Sequence, residues 1–266
     1  MASMGALRAG AGLVTAAVPK SILPIVATFA PELMTEPLDE TDVGSVSHRA
    51  LEGGGLEAVL ARKTVVALGP GLSQNPETQD YIRSLVSRCD LPIIIDADGL
   101  NAFAGKTELL DGSKRPLILT PHPGEMARLT GLSTERVTSN RLAIARNFAI
   151  QHKLILVLKG WRTLVAAPDG KIYINTTGNP GMAKGGSGDV LTGIIAGVLA
   201  QFPSRTVDAV CAAVHLHGLA GDIAVARGEE PALLATDLLG CIPDAFREAL
   251  RRAGSVVWLQ GRPRQR

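Results

Sequence analysis

Thr177-Gly-Asn-Pro-Gly-Met-Ala-Lys-Gly-Gly-Ser-Gly-Asp189 is the stretch on which the reading of this chain turns. Its thirteen residues contain five glycines, Gly178, Gly181, Gly185, Gly186 and Gly188, and the apolar helical pattern Val-Leu-Thr-Gly-Ile-Ile-Ala-Gly-Val-Leu follows at once. Glycines let a backbone turn sharply and bring successive N–H groups close to one ligand. A helix N-terminus behind them adds partial positive charge, so phosphate is the natural guest. Asp189 is the odd element, because a carboxylate aimed at that spot repels phosphate. An acid there makes sense if it must touch a hydroxyl about to receive a phosphoryl group.

Other glycine-rich readings fit less well. A mobile linker would not place Lys184 and Asp189 so tightly, nor run straight into an apolar helix. A P-loop needs Gly-Lys-Ser/Thr after four spacers, whereas Gly178 leads to Ala183-Lys184-Gly185. The nucleophile elbow Gly-x-Ser-x-Gly fails because Asp189 takes the last glycine position. Gly10-Ala-Gly12 and Gly69-Pro-Gly71 both lack the third glycine of a dinucleotide fingerprint.

Around this stretch, alternation of short β-branched runs with longer helical patterns is clear from Thr64 onward. Strands are expected at Thr64–Leu68, Pro92–Asp96, Pro116–Thr120 and Leu154–Leu158, with helices at Glu77–Cys89 and Ser133–His152. Continuous apolar runs mean strands covered on both faces, as in a parallel sheet. Thr163–Ala167 and Lys171–Asn175, separated by Pro168-Asp-Gly170, read as a β-hairpin. Three helical patterns finish the chain: Asp189–Ala200, Thr206–Arg227 and Ala235–Arg252. Polar and glycine-rich segments fall at the carboxyl ends of the strands, the edge where open α/β sheets bind ligands.

At 266 residues with no internal linker, charge block or repeat, one α/β domain over residues 1–266 is expected. Hydrophobic residues make up 46% but aromatics only 3%, so Val, Ile, Leu and Ala must fill the core. A net charge of +2 gives no electrostatic case for nucleic acid. The arginines at 251, 252, 262, 264 and 266 read as a solvated tail. Cys89, Cys211 and Cys241 are odd in number and in no metal-ligand spacing, which fits a reducing compartment. The longest apolar helical run, Gly193–Ala200, is too short for the ~20 residues that span a bilayer. No charged region followed by an apolar core opens the chain, so a soluble cytoplasmic protein is expected.

The loops, in this order, resemble the ADP/ATP-dependent NAD(P)H-hydrate dehydratases, a branch of the ribokinase-like superfamily. The likeness is carried by Ala9-Gly-Ala-Gly-Leu-Val-Thr15, Leu68-Gly-Pro-Gly-Leu72, Ile95-Asp-Ala-Asp-Gly-Leu-Asn101, Leu119-Thr-Pro-His-Pro-Gly-Glu125, Leu158-Lys-Gly160 with Thr163, and residues 178–189. The resemblance implies a three-layer αβα sandwich with a mostly parallel central sheet. It implies dehydration of hydrated NADH or NADPH, in which a nucleotide (ADP or ATP, with Mg²⁺) phosphorylates the ring hydroxyl and phosphate then leaves. Hydroxide is a poor leaving group and phosphate a good one, which is why a dehydratase would use a kinase's site. Homo-oligomers and a functional pairing with an epimerase are implied as well. The Thr-Pro-His-Pro-Gly-Glu form is similar to the bacterial, ADP-using type.

Residue by residue, Asp189 corresponds to the family's substrate-contacting aspartate, placed to deprotonate the ring hydroxyl. Its helix position favours the ionised form and so a weak base, and a plain helix cap is the alternative. Gly185, Gly186, Ser187 and Gly188 correspond to the anion hole. Lys159, Gly160, Trp161, Arg162 and Thr163 match the segment that holds the nucleotide, with backbone contacts expected from Trp161 and Arg162. His122 and Gly71 match substrate-contacting positions; a rigid turn is the alternative for each. Glu125 is a candidate to position Mg²⁺ through water. Asp96, Asp98 and Asn101 line the same crevice but also read as turn formers.

The family begins with a glycine-rich strand and a helix before the segment corresponding to Ala6-Leu-Arg-Ala-Gly10, and this chain starts almost at that point. The expectation is a fold lacking that N-terminal strand and helix. Rival readings are a small-molecule kinase of the hydroxyethylthiazole or hydroxymethylpyrimidine type, a non-catalytic nucleotide-binding remnant, and a Rossmann oxidoreductase.

Overall fold

In the computed structural model, which describes residues 1–252, the expected alternation becomes strands and helices. Arg262, Arg264 and Arg266 of the basic end lie outside the described residues. The chain opens with α1 (Ala2–Arg8), β1 (Val14–Pro19), the single turn α2 (Leu23–Val26), β2 (Leu33–Leu38) and α3 (Gly55–Leu60). Next come β3 (Val66–Leu68), α4 (Pro76–Arg88), β4 (Ile93–Ile95), α5 (Asp98–Asn101), β5 (Leu117–Leu119) and α6 (Pro123–Thr130). They are followed by α7 (Thr134–Ser139), α8 (Arg141–Gln151), β6 (Ile155–Leu158), β7 (Leu164–Ala166) and β8 (Ile172–Ile174). Three long helices end the described chain: α9 (Ser187–Gln201), α10 (Thr206–Arg227) and α11 (Ala235–Arg252).

Six strands form a sheet in the order β3-β4-β5-β6-β7-β8. The first four run parallel, with Ile93 beside Leu117 and Ile95 beside Leu119; β7 and β8 are the antiparallel hairpin. Successive strand side chains point to opposite faces, and both faces here are apolar. Ile93, Ile95, Leu117, Leu119, Leu156 and Leu158 face a core closed by α4, α6 and α8. Ile94, Ile118, Ile155, Val157 and Val165 face a second core closed by α9, α10 and α11. Each such aliphatic side chain stabilises the fold by about 1.5–3 kcal/mol through burial. The result is three layers, helices on either side of a mostly parallel sheet.

Two expectations need correction. The helix expected over Ser133–His152 breaks at Asn140, whose φ of −124° leaves helical space while its side-chain amide donates to the Arg136 carbonyl. Apart from the six-stranded sheet, β1 and β2 pair parallel as a separate two-stranded sheet, and β3 pairs only with β4. α1 begins at Ala2 and itself contains Ala6–Arg8, the segment at which the likeness to the family starts. Gly193–Ala200 is not the longest apolar helical run: within residues 203–227, which end in α10, an 18-residue window long enough to cross a bilayer has a mean hydropathy of 1.5. More than half of that window is buried, at 56%, because α10 packs between α9 and α11 as a core helix.

α1 fixes the seat of α9. A Cβ on Gly193 would lie 2.0 Å from the Ala2 carbonyl oxygen, and one on Gly197 2.5 Å from that of Ala6. The two helices therefore touch backbone to backbone, which only glycine permits. The first turn of α9, which carries Asp189, is thereby anchored against the rest of the chain.

Candidate active site

The strand ends bring their polar residues to one edge. Asp96 follows β4, Thr120 and His122 follow β5, Lys159 follows β6, and Asp189 sits in the first turn of α9. At the centre is an ion pair: the Lys159 Nζ lies 2.7 Å from Asp96 Oδ1 and 3.6 Å from Glu125 Oε2. Asp96 is 1% exposed, and its Oδ2 accepts from the Thr192 hydroxyl of α9 at 2.9 Å. Gly188 lies over this pair; a Cβ there would come 3.2 Å from the Lys159 Nζ and 3.6 Å from Asp96 Oδ2.

Above the pair is the glycine turn. Gly186 caps α9 with φ +87°, a left-handed value that suits glycine. The first N–H groups of a helix have no intrahelical partner. Ser187 gives its amide to the Lys184 carbonyl, but among the described residues nothing accepts from the amides of Gly185, Gly186, Gly188 and Asp189. Four donors thus point from a positive helix end, the arrangement that binds anionic oxygens. The Ser187 side chain turns inward instead. It is 6% exposed, with its hydroxyl 3.4 Å from His217 Nε2, and its carbonyl accepts from that nitrogen at 2.9 Å. Burial pushes the His217 imidazole down to about 4, so it stays neutral as a strut between α10 and α9.

Asp189 corrects the expectation of a weak base. Burial raises its carboxyl above the ordinary range, and the neighbouring Asp96 adds to this. The Met1 amino group and Lys159 pull the other way with smaller effect. Desolvation outweighs the favourable electrostatics because the group is half-enclosed beside a second carboxylate. A raised carboxyl holds a proton more readily, which suits proton transfer.

His122 caps α6. Its Nδ1 accepts from the amides of Gly124 at 3.0 Å and Glu125 at 3.4 Å, so the proton sits on Nε2. The Glu125 Oε2 returns the bond to the His122 amide at 2.7 Å, completing a capping box. Burial lowers the His122 imidazole even though Glu125 opposes the change. The ring remains half exposed, with Nε2 3.6 Å from Glu125 Oε1. Glu125 itself is 6% exposed and is shared between the cap and Lys159.

Among the described residues no group of three or more His, Cys, Asp or Glu is placed to hold a metal. A Mg²⁺ that keeps its waters and takes phosphate oxygens needs only one or two carboxylates, and the hard oxygens of Glu125 and Asp96 are of that kind.

The segment 159–163 turns tightly. Gly160 has φ +133° and Arg162 φ +59°, and the Thr163 hydroxyl donates to the Gly160 carbonyl at 3.0 Å. Trp161 is 79% exposed, with the Arg162 guanidinium 5.2 Å from its ring centre. Its carbonyl and that of Arg162 accept from Arg141, a residue unremarkable in the sequence. Gly71 has φ +70° and nothing within 4 Å of a Cβ there, so a turn explains it and space for a ligand is left.

Asp98 and Asn101 lie in α5 and bond beyond their own turn: Asp98 accepts from the Ser73 amide, and Asn101 donates to Asp98 and accepts from Arg128. Lys184 points away and donates to the Pro231 carbonyl. Sequence reasoning missed the weight of Asp96, Thr192, His217 and Asp222. Asp222 accepts from the Gly178 amide at 2.9 Å and the Asn179 side chain at 3.1 Å, tying the glycine loop to α10. A His and an Asp on one apolar helix were the available signal for the last two.

A sequence profile of the NAD(P)H-hydrate dehydratases matches residues 1–244. A bifunctional NAD(P)H-hydrate repair enzyme of Moorella thermoacetica is 48% identical over 97% of this chain, which spans 48% of that enzyme. The chain spans about half the length of the first such curated relatives. An ADP-dependent (S)-NAD(P)H-hydrate dehydratase of Bacillus subtilis is 33% identical over 93% of this chain and 83% of its own. A crystal structure of the ADP/ATP-dependent enzyme from Bacillus subtilis, co-crystallised with ATP/Mg²⁺ and soaked with CoA, superposes with a TM-score of 0.76 at 32% identity, covering 93% of this chain and 85% of that one. The three-layer sandwich is thus the ribokinase-like α/β fold, and with a profile that covers most of its length the chain belongs to the NAD(P)H-hydrate dehydratase family.

Proposed function

We propose that this chain restores NADH and NADPH from their (S)-hydrates by nucleotide-dependent dehydration. The observation that carries the reading is a carboxylate with a raised pKa, Asp189, in the same helical turn as amides that lack a protein acceptor. An acid beside an anion site serves a hydroxyl that is about to accept a phosphoryl group.

Asp189 takes the proton of the ring hydroxyl while the hydroxyl oxygen forms a bond to the terminal phosphorus of ADP or ATP. The bond from that phosphorus to the bridging oxygen breaks, and AMP or ADP leaves. The C–O bond of the phosphate ester then breaks, the adjacent ring carbon loses a proton to water, and phosphate departs as the double bond re-forms. The amides of Gly185, Gly186, Gly188 and Asp189 would hold the moving phosphoryl and Lys159 would neutralise its charge. Glu125, through water, together with the nucleotide's phosphates, would hold Mg²⁺, which supplies further charge neutralisation. The segment 159–163 would hold the nucleotide, and His122 and Gly71 the hydrate. His122 offers an Nε2–H donor from a half-exposed ring.

The remaining parts of the reading are a single domain over residues 1–266, a cytoplasmic setting, homo-oligomers and an epimerase working alongside. The names of the bifunctional relatives support the last of these. The test is absorbance recovery in the reduced nicotinamide band with purified protein, NADH hydrate, Mg²⁺ and either ADP or ATP. Recovery that requires nucleotide and releases phosphate supports the dehydratase. A product that keeps its phosphate would mean a small-molecule kinase, and nucleotide binding without turnover a non-catalytic remnant.

A further inference from the structure

We infer that Arg141, at the start of α8, is the positioning residue that shapes segment 159–163 into a nucleotide-binding turn. The inference rests on the proposed function for the identity of the ligand. The Arg141 guanidinium donates to three backbone carbonyls of the same turn: Nη1 to Trp161 at 2.6 Å, and Nη2 to Leu158 and Arg162, each at 3.3 Å. A fourth carbonyl, that of Gly160, is held from within by the Thr163 hydroxyl.

The peptide units of this turn are trans, so each N–H points opposite the carbonyl of its own unit. With the carbonyls of Trp161 and Arg162 drawn to the guanidinium, the amides of Arg162 and Thr163 face away from it. Among the described residues nothing accepts from these two amides or from that of Trp161. A run of outward amides is a nest for anionic or carbonyl-like oxygens, such as a nucleotide's phosphate or ribose. One planar fork matches the three carbonyls; a lysine ammonium, a compact point charge, does not span them.

The placement is costly in ways that structure alone does not reward. A cation in the first turn of a helix opposes the helix dipole. The Nε of Arg141 is buried with no partner, and the residues it holds include Arg162 in left-handed space at φ +59°. Local strain of this kind is retained where a site needs a fixed shape.

The test is steady-state kinetics on the full chain with Arg141→Lys and Arg141→Ala. Arg141→Lys is expected to raise the nucleotide KM by about tenfold or more, while kcat and the hydrate KM change by no more than about twofold. For Arg141→Ala, millimolar guanidinium is expected to recover nucleotide affinity where the same concentration of methylammonium does not. An unchanged nucleotide KM, or a loss shared equally with kcat and hydrate KM, overturns the inference. Should the wild type show no turnover, ADP-induced thermal protection decides separately: protection of the wild type but not of Arg141→Lys supports the positioning role, and equal protection refutes it. A wild type that neither turns over nor is protected by ADP refutes both readings.

Discussion

Asp189→Asn separates a catalytic base from a helix cap, because the two roles give opposite signs for stability. As a first-turn acid and nothing more, Asp189 would stabilise α9 by about 0.3–1 kcal/mol through the helix dipole, and Asn would lose that. The structure weighs against this: burial is the largest influence on its carboxyl, Asp96 the second, and both disfavour the charged form. Its folded pKa therefore lies above the ordinary 3.8, so the native state binds the proton more tightly than the unfolded chain. Stability is then highest below 3.8 and falls as pH rises through the window up to the raised value. Asn carries no charge and escapes the loss. At neutral pH the variant is expected to be more stable by on the order of 0.5–2 kcal/mol, as when functional strain is relieved. The gain shrinks toward zero in acid. Turnover should fall by about 10²–10⁴-fold on loss of the base, with nucleotide affinity nearly intact. Urea midpoints across pH and the nicotinamide absorbance assay check both halves. A variant that is less stable at neutral pH yet keeps wild-type turnover would refute the base assignment.

Lys159→Ala strands Asp96, 1% exposed, without its counter-ion; breaking a buried pair costs about 3–5 kcal/mol. Urea midpoints should show that cost, with part of it recovered in Lys159→Ala/Asp96→Asn; nucleotide affinity should fall in both, and an unchanged affinity removes the lysine from the site. Gly193→Ala puts a Cβ 2.0 Å from the Ala2 carbonyl, so thermal melts should show an overpacking loss of about 1–3 kcal/mol; an unchanged melting temperature would mean that α1 does not seat α9. Chelation of divalent cations should weaken nucleotide binding measured by calorimetry, and equal affinity in EDTA would remove Mg²⁺ from the site.

Strand and helix order was legible from residue 64 because buried parallel strands are continuous apolar runs, and Leu154–Leu158 and Pro92–Asp96 leave no other option. The glycine turn was equally legible, since Gly185, Gly186 and Gly188 clustered at a helix start mark a backbone that turns in left-handed space or is closely approached. What stayed hidden was set by tertiary contact. Asp96 reads like any Asx residue after a strand, and only the fold puts Lys159, sixty-three positions later, 2.7 Å from it. Arg141 reads as a surface arginine at a helix start until the turn after β6 is folded against it. The upward push on the Asp189 carboxyl stayed hidden for the same reason: the helix dipole is local and visible in sequence, whereas burial and the Asp96 charge are not. The break between β1–β2 and the main sheet was also beyond a pattern argument, because pairing partners are not encoded by the apolar runs themselves.

The charge inventory of the site explains why an anion hole and a base can share one turn. Asp96, Glu125 and Asp189 bring three carboxyl groups to the Lys159 ammonium, which already lies 2.7 Å from Asp96, while the Met1 amino group acts on Asp189 as well. A nucleotide polyphosphate arriving there finds four unpartnered amides but no free cation among these four groups. Backbone amides are partial charges, and at close range they offset only part of the repulsion from three acids. A divalent cation carried in with the phosphates removes that repulsion without a dedicated protein cage, the mode in which Mg²⁺ usually binds. Burial, with the Asp96 charge beside it, keeps Asp189 basic, since both disfavour its charged form. The residues that make the pocket poor for bare phosphate therefore make Asp189 a better proton acceptor. Neutralising Asp96 would favour the anion and weaken the base together.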